Sequence, residues 1–234
     1  MNAKRKNRVE LRELVLTAVF AALAYAAMFV FHFKVAFLTF DLKDAIITVA
    51  GLLLGPVAAL TVSLLVAALE LVTVSDTGWY GFVMNFASSA TFSVVCAVVY
   101  RYKKKLSGAV LGLIAAVTSM VAVMMVLNLF VTPFYQGVSR SEIAAMLPTL
   151  FLPFNAVKGA ANAALVLILY KPIHRAMQAA RLLPRAADVA GPADPALRKK
   201  RTARSILISV AGLLLLAAAI AVFYFVLHGR FELV

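Results

Sequence analysis

The sequence predicts an all-α protein, a polytopic bundle of membrane-spanning helices. Of its 234 residues, 64% are hydrophobic and only 14% charged, and the mean hydropathy is +0.96. A soluble domain carries about a quarter charged residues. Apolar runs repeatedly reach the roughly 18 to 20 residues that cross a bilayer. The formal net charge of +13 is concentrated in a few short segments, as in cytoplasmic loops, so it requires no nucleic-acid partner.

The first span is "LRELVLTAVFAALAYAAMFVFHF", Leu11 to Phe33, behind the basic "AKRKNR". Its apolar run is too long for a secretory signal peptide and has no clean cleavage site. The segment "KVAFLTFDLKD" reads as a loop. "AIITVAGLLLGPVAALTVSLLVAALELV" is interrupted by Gly55-Pro56. Proline is tolerated in a first helical turn, so two consecutive helices are expected there. The fourth span covers Gly81 to Tyr100, the fifth Gly108 to Val131 and the sixth Thr149 to Tyr170. A linker rich in Pro, Gly and charge follows, with "GPADPALRKKR" at its centre. "SILISVAGLLLLAAAIAVFYFVL", Ser205 to Leu227, is a seventh span. The expected division is a six-helix membrane domain over 1–172, a basic linker over 173–204, and the additional helix with a short tail over 205–234.

Lysine and arginine set the orientation. With the N-terminus in the cytoplasm, Lys4, Arg5, Lys6, Arg8, Arg12, the "RYKKK" loop and the whole linker are inside. Only Lys34, Lys43, Arg140 and Arg230 fall outside, and Lys158 lies within a span. Seven spans then place the C-terminus outside.

Several chemistries lack their residues. The single cysteine, Cys96, rules out an internal disulfide, and His32, His174 and His228 are too dispersed for a metal cluster. There is no G-x-x-x-x-G-K-[ST], so no P-loop for ATP, and neither H-E-x-x-H nor G-x-S-x-G occurs. The chain is not expected to be an enzyme or to hold a metal or cofactor of its own.

One constellation does carry chemistry. Asn155, Lys158, Gly159 and Asn162 lie at i, i+3, i+4 and i+7 on the sixth span, on one face within roughly a 100° arc. A lysine near a helix centre costs roughly 2.5 to 3.5 kcal/mol on insertion scales, so this face should point into the bundle. Lys158 is about ten residues, or roughly 15 Å, from either end of the span, which is far for snorkelling. Asn128, near the outer end of the fifth span, and Asn85, near the outer start of the fourth, lie at a matching depth. Each asparagine alone would read as helix-packing glue. Together they suggest a pocket open to the outside for a neutral, heteroatom-rich ligand, because a carboxamide both donates and accepts.

Phe37 and Phe40 in the first outer loop could stack on or cap a ring. Asp41 and Asp44 read as caps of the following helix. Trp79 and Tyr80 read as an interfacial belt. Glu70 is either a pocket residue or the partner of an outer cation. Ala18, Ala22 and Ala26 form a small-residue stripe that permits close helix approach, within the chain or to a partner.

The segments "FLTFDLKD", "GLLLGPVAAL", "NLFVTPFY" and "FLPFNAVKG", in a six-helix rhythm from Leu11 to Pro172, resemble the substrate-binding S components of energy-coupling factor (ECF) vitamin transporters, specifically the riboflavin type. The resemblance implies a six-helix S-component core, with the seventh helix lying outside the pattern. It implies a bacterial plasma-membrane subunit that takes riboflavin from the extracellular side and delivers it to the cytoplasm. Asn128, Asn155 and Lys158 match flavin-bonding positions, and Phe37, Leu38, Thr39 and Phe40 match the capping loop. Ala18 and Ala22 match a motif that docks on the transmembrane T component, which works with two ATPases. Asn85 and Asn162 join the substrate-binding set on the reading of the residues alone. An S component for another vitamin or a nucleoside-like compound, or a non-transport membrane enzyme or scaffold, are the rival readings.

Overall fold

A computed structural model describes residues 3–30, 33–180 and 182, together with 210, 212–214, 217 and 221. Its element order is α1 (Ala3–Val30), β1 (Phe33–Val35), β2 (Leu38–Phe40), α2 (Lys43–Leu54), α3 (Pro56–Thr73), α4 (Gly78–Tyr102), α5 (Leu106–Gln136), α6 (Arg140–Met146), a π-helical turn (Leu147–Phe151) and α7 (Leu152–Ala179). The protein is therefore an all-α membrane bundle with one small hairpin. The described residues contain five helices long and apolar enough to cross a membrane. The expected linker and seventh span lie largely outside these residues; 210, 212–214, 217 and 221 are helical.

Each long helix buries one stripe and leaves the other apolar. On α1, Leu16, Phe20, Ala24 and Met28 are buried at a spacing of four, while Leu14, Val19, Leu23 and Val30 are exposed. Outward apolar side chains recur on α3 and α5, among them Leu60, Leu64, Ile114 and Val126. In water such a surface would be a large unpartnered patch; in a bilayer it is the lipid-facing girdle.

The Gly55-Pro56 break forms as the sequence predicts. Gly55 takes φ 111°, a conformation only glycine adopts without strain, and Pro56 opens α3 where its missing N–H costs nothing. Because the break comes early, α2 has only 12 residues, about 18 Å of helix against a hydrocarbon core of roughly 30 Å. The N-terminal end of α2 therefore sits inside the bundle, and Asp41, Lys43 and Asp44 are buried with it.

Three boundaries differ from the sequence reading. Phe33, the expected end of the first span, belongs instead to β1, and the expected loop folds into an antiparallel hairpin pairing Phe33 with Phe40, Lys34 with Thr39 and Val35 with Leu38. Ala36 and Phe37 form its turn, Ala36 at φ 54°. The strands have three residues each and the turn lacks an Asn-Gly or Asp-Gly signature, so the sequence carries little hairpin signal. The sixth span begins with the π-helical turn, which contains Pro148 and is followed by Pro153, and their missing N–H groups interrupt the ordinary ladder. α7 then runs past Pro172 to Ala179, through the first part of the expected linker.

Gly159 brings α7 close to α5. A Cβ on it would lie 2.9 Å from Met120 Cε and 3.1 Å from Val117 Cγ1, so a side chain there would require both to shift.

Candidate functional site

The short α2, the hairpin and the first part of α7 enclose a cavity of about 780 Å³ at one end of the bundle. Ligand cavities fall in roughly the same range, 300 to 1,000 Å³. The hairpin covers it through Ala36, Phe37, Leu38 and Thr39. α4 contributes Met84, Asn85 and Ser88, α5 contributes Met124, Asn128 and Tyr135, and α7 contributes Phe154, Asn155 and Lys158.

Lys158 is buried at 5% exposure and does not reach for lipid headgroups. Its Nζ donates to Asp41 Oδ2 at 2.9 Å and to the Thr39 carbonyl oxygen at 3.3 Å. It thereby ties α7 to the end of the hairpin. Asp41 is shared: its Oδ2 also lies 3.4 Å from Lys43 Nζ, and its Oδ1 accepts from the Lys43 backbone N–H at 3.3 Å. Lys43 Nζ in turn lies 2.7 Å from Glu70 Oε1, and Asn85 donates to Glu70 Oε2 at 2.6 Å. A continuous chain of charge runs Lys158–Asp41–Lys43–Glu70–Asn85 across α7, the hairpin end, α2, α3 and α4. Buried ions are tolerated when paired and hydrogen-bonded in this way.

Asp41 is thus more than the helix cap that the sequence suggests. The N-cap position of α2 is Leu42, with no side-chain cap bond of its own. Asn162 performs that task from α7. Its Oδ1 accepts from Ala45 N–H at 2.8 Å, while its Nδ2 donates to the carbonyl oxygens of Asp41 at 3.1 Å and Lys158 at 3.0 Å. One acceptor and two donor directions are thereby used, and Asn162 does not line the cavity. Phe40 does not line it either; it is buried and packs edge-on to Phe154 at 6.3 Å. Phe37 does line it, resting against Phe151 at 5.8 Å. Asp44 is buried behind the cavity, where it accepts from Ser89 Oγ.

The remaining asparagines converge as expected. Asn128 donates to the Met124 carbonyl and accepts from Thr132 Oγ1 at 2.9 Å. Asn155 donates one amide hydrogen to the Phe151 carbonyl at 2.8 Å, which leaves a second hydrogen and its oxygen for a guest. Glu70, left open by the sequence, is both a cavity residue and the partner of a cation.

The charged lining is balanced. Lys34, Lys43 and Lys158 face Asp41, Glu70 and Asp76, and Lys34 pairs with Asp76 at 2.7 Å at the exposed rim. No net charge is left over for an ionic guest. The apolar walls come from Met28, Met84, Met124, Phe37, Leu38 and Phe154; thioethers are polarizable and adapt to an aromatic face. The methionines were not legible as site residues, since methionine is ordinary core in any apolar helix.

On α1 the stripe Ala18, Ala22 and Ala26 is exposed, on the side away from Leu16, Phe20 and Ala24. Among the described residues nothing buries it.

A family model described as "ECF transporter, substrate-specific component" matches residues 12–171. The riboflavin transporter RibU of Staphylococcus aureus (strain TCH60) is 29% identical over 182 residues, covering 73% of this chain and 95% of that protein. A solved structure described as "Structure and mechanism of the S component of a bacterial ECF transporter" aligns with a TM-score of 0.62 at 25% identity, over 72% of this chain and 99% of that one.

Proposed function

The chain belongs to the substrate-specific components of ECF transporters, and from that premise we propose that it binds riboflavin for an ATP-driven importer. The family is a substrate-binding part of a transporter and not an enzyme. The observation that carries the substrate assignment is the charge-balanced cavity of about 780 Å³ with methionine and phenylalanine walls. Riboflavin is an uncharged tricycle with a polar edge and a polyhydroxyl chain, so it needs apolar faces and neutral donors and acceptors. The similarity to a riboflavin transporter supports the same reading.

In this reading Phe37, Leu38 and Thr39 close over the ligand from the hairpin. Asn85, Asn128 and Asn155 meet its heteroatoms, in a low-dielectric site where a mismatched polar group is costly. Lys158 holds the hairpin end through Thr39 and Asp41 and has one ammonium hydrogen left for the ligand. Phe40 and Asn162 support this arrangement from behind.

The cavity opens to the outside when the N-terminus is cytoplasmic, the orientation that lysine and arginine favour. The exposed Ala18 and Ala22 then offer a close-approach surface to a T component, which two ATPases drive. The test is uptake of labelled riboflavin into proteoliposomes holding this chain, a T component and two ATPases. ATP-dependent accumulation that disappears when this chain is omitted supports the proposal; accumulation that does not depend on the chain refutes it.

A further inference from the structure

A second cavity, of about 400 Å³, lies at the opposite end of the bundle. Asn85 in the first cavity and Arg101 in the second are both on α4, about 24 Å apart at 1.5 Å per residue. The second cavity is walled by the α2–α3 break, the end of α4, Lys104, and Tyr170 and His174 of α7.

Its two sides differ in chemistry. Leu52, Leu53, Leu54, Pro56 and Ala97 make an apolar wall. Arg101, Lys104, His174, Tyr100 and Tyr170 complete the lining, with Arg101 and Lys104 exposed. Among the described residues, no acidic residue lines the cavity. Arg101 and Lys104 form no ion pair among the described residues. The two tyrosine oxygens are 3.0 Å apart, so one hydroxyl donates to the other and the pair keeps a second proton to donate. The Tyr170 and His174 rings pack 5.8 Å apart, which holds the imidazole in place.

Two permanent cations, a hydroxyl donor and an imidazole around one space match an oxyanion with several acceptor oxygens. The apolar wall beside them matches carbon attached to that oxyanion. We propose that this cavity binds a phosphate group, borne by an anionic phospholipid headgroup whose glycerol end rests on Leu52 to Leu54. Basic pockets between membrane helices hold such headgroups on the cytoplasmic side. The inference rests on the orientation proposed above only in assigning the site to the cytoplasmic leaflet.

The experiment is native mass spectrometry of the full chain released from detergent, titrated separately with phosphatidylglycerol, phosphatidylcholine and inorganic phosphate. The Arg101→Gln/Lys104→Gln double variant is run beside it, and riboflavin titration serves as a fold control. Phosphatidylglycerol should be retained at least about tenfold more tightly than phosphatidylcholine, and the double variant should lose about tenfold while binding riboflavin as before. Retention of inorganic phosphate alone, lost in the same variant, would keep the phosphate site and assign it to a soluble source. Equal retention of the two lipids with no phosphate bound, or a double variant that retains the anions like the parent, overturns the proposal. A chain that holds phosphatidylglycerol but no riboflavin would refute the riboflavin assignment and leave this site standing.

Discussion

Replacing Lys158 by methionine removes one ammonium from the centre of the charge chain. The Lys158 and Asp41 side chains are 7% and 1% exposed, and their atoms lie 2.9 Å apart. Without the ammonium, Asp41 keeps only Lys43 Nζ at 3.4 Å and one backbone N–H, and Lys43 is already shared with Glu70 at 2.7 Å. Breaking a buried pair by deleting one partner costs about 3 to 5 kcal/mol. For a chain of this size, that corresponds to a fall in Tm of roughly 6 to 20 °C. Adding Asp41→Asn removes the stranded charge while an oxygen remains for the Lys43 N–H. The double variant should therefore be more stable than Lys158→Met alone, by about 2 kcal/mol. Thermal unfolding of the purified variants in detergent measures this, with a riboflavin titration in parallel. Binding should stay at least tenfold weaker in both variants, because the tie from α7 to the Thr39 carbonyl is lost in each. Two single effects that simply add would refute the pairing argument.

The other expectations follow from the same geometry. Asn162→Leu strands the Ala45 N–H at the start of α2, so stability should fall by about 1 to 3 kcal/mol, while riboflavin affinity, read by fluorescence titration, changes less than about fivefold. Ala22→Phe places a large ring on the exposed stripe of α1; co-purification with a T component should be lost while ligand binding is retained, and retained assembly would refute that docking surface. Flavin mononucleotide should bind at least tenfold more weakly than riboflavin in competition, because the three lysines of the cavity are balanced by three carboxylates and none is free for its phosphate.

The membrane bundle was legible because burial in lipid and burial in protein both demand apolar helices, and runs of that length have few alternatives. The Gly55-Pro56 break was equally legible, since those two residues have narrow backbone preferences. The depth of Lys158 pointed to an inward face, and the cavity lies there. Its partner did not emerge, because Asp41 is 117 positions away and an aspartate before a helix reads as a cap. The hairpin was missed because its turn, Ala36-Phe37, carries no turn signature. Asn162 shared the stripe of Asn155 and Lys158, yet 100° of helical rotation per residue does not tell a cavity from the neighbouring helix end. Only the packing of α2 against α7 separates the two.

The central claim is that this cavity holds a flavin, and the direct measurement is the absorption and fluorescence spectrum of the detergent-purified chain, before and after denaturation. A yellow preparation that releases one fluorescent flavin per chain, or an empty one that quenches added riboflavin saturably at one to one, is the expected result. A colourless, folded protein that leaves riboflavin fluorescence unchanged would contradict it.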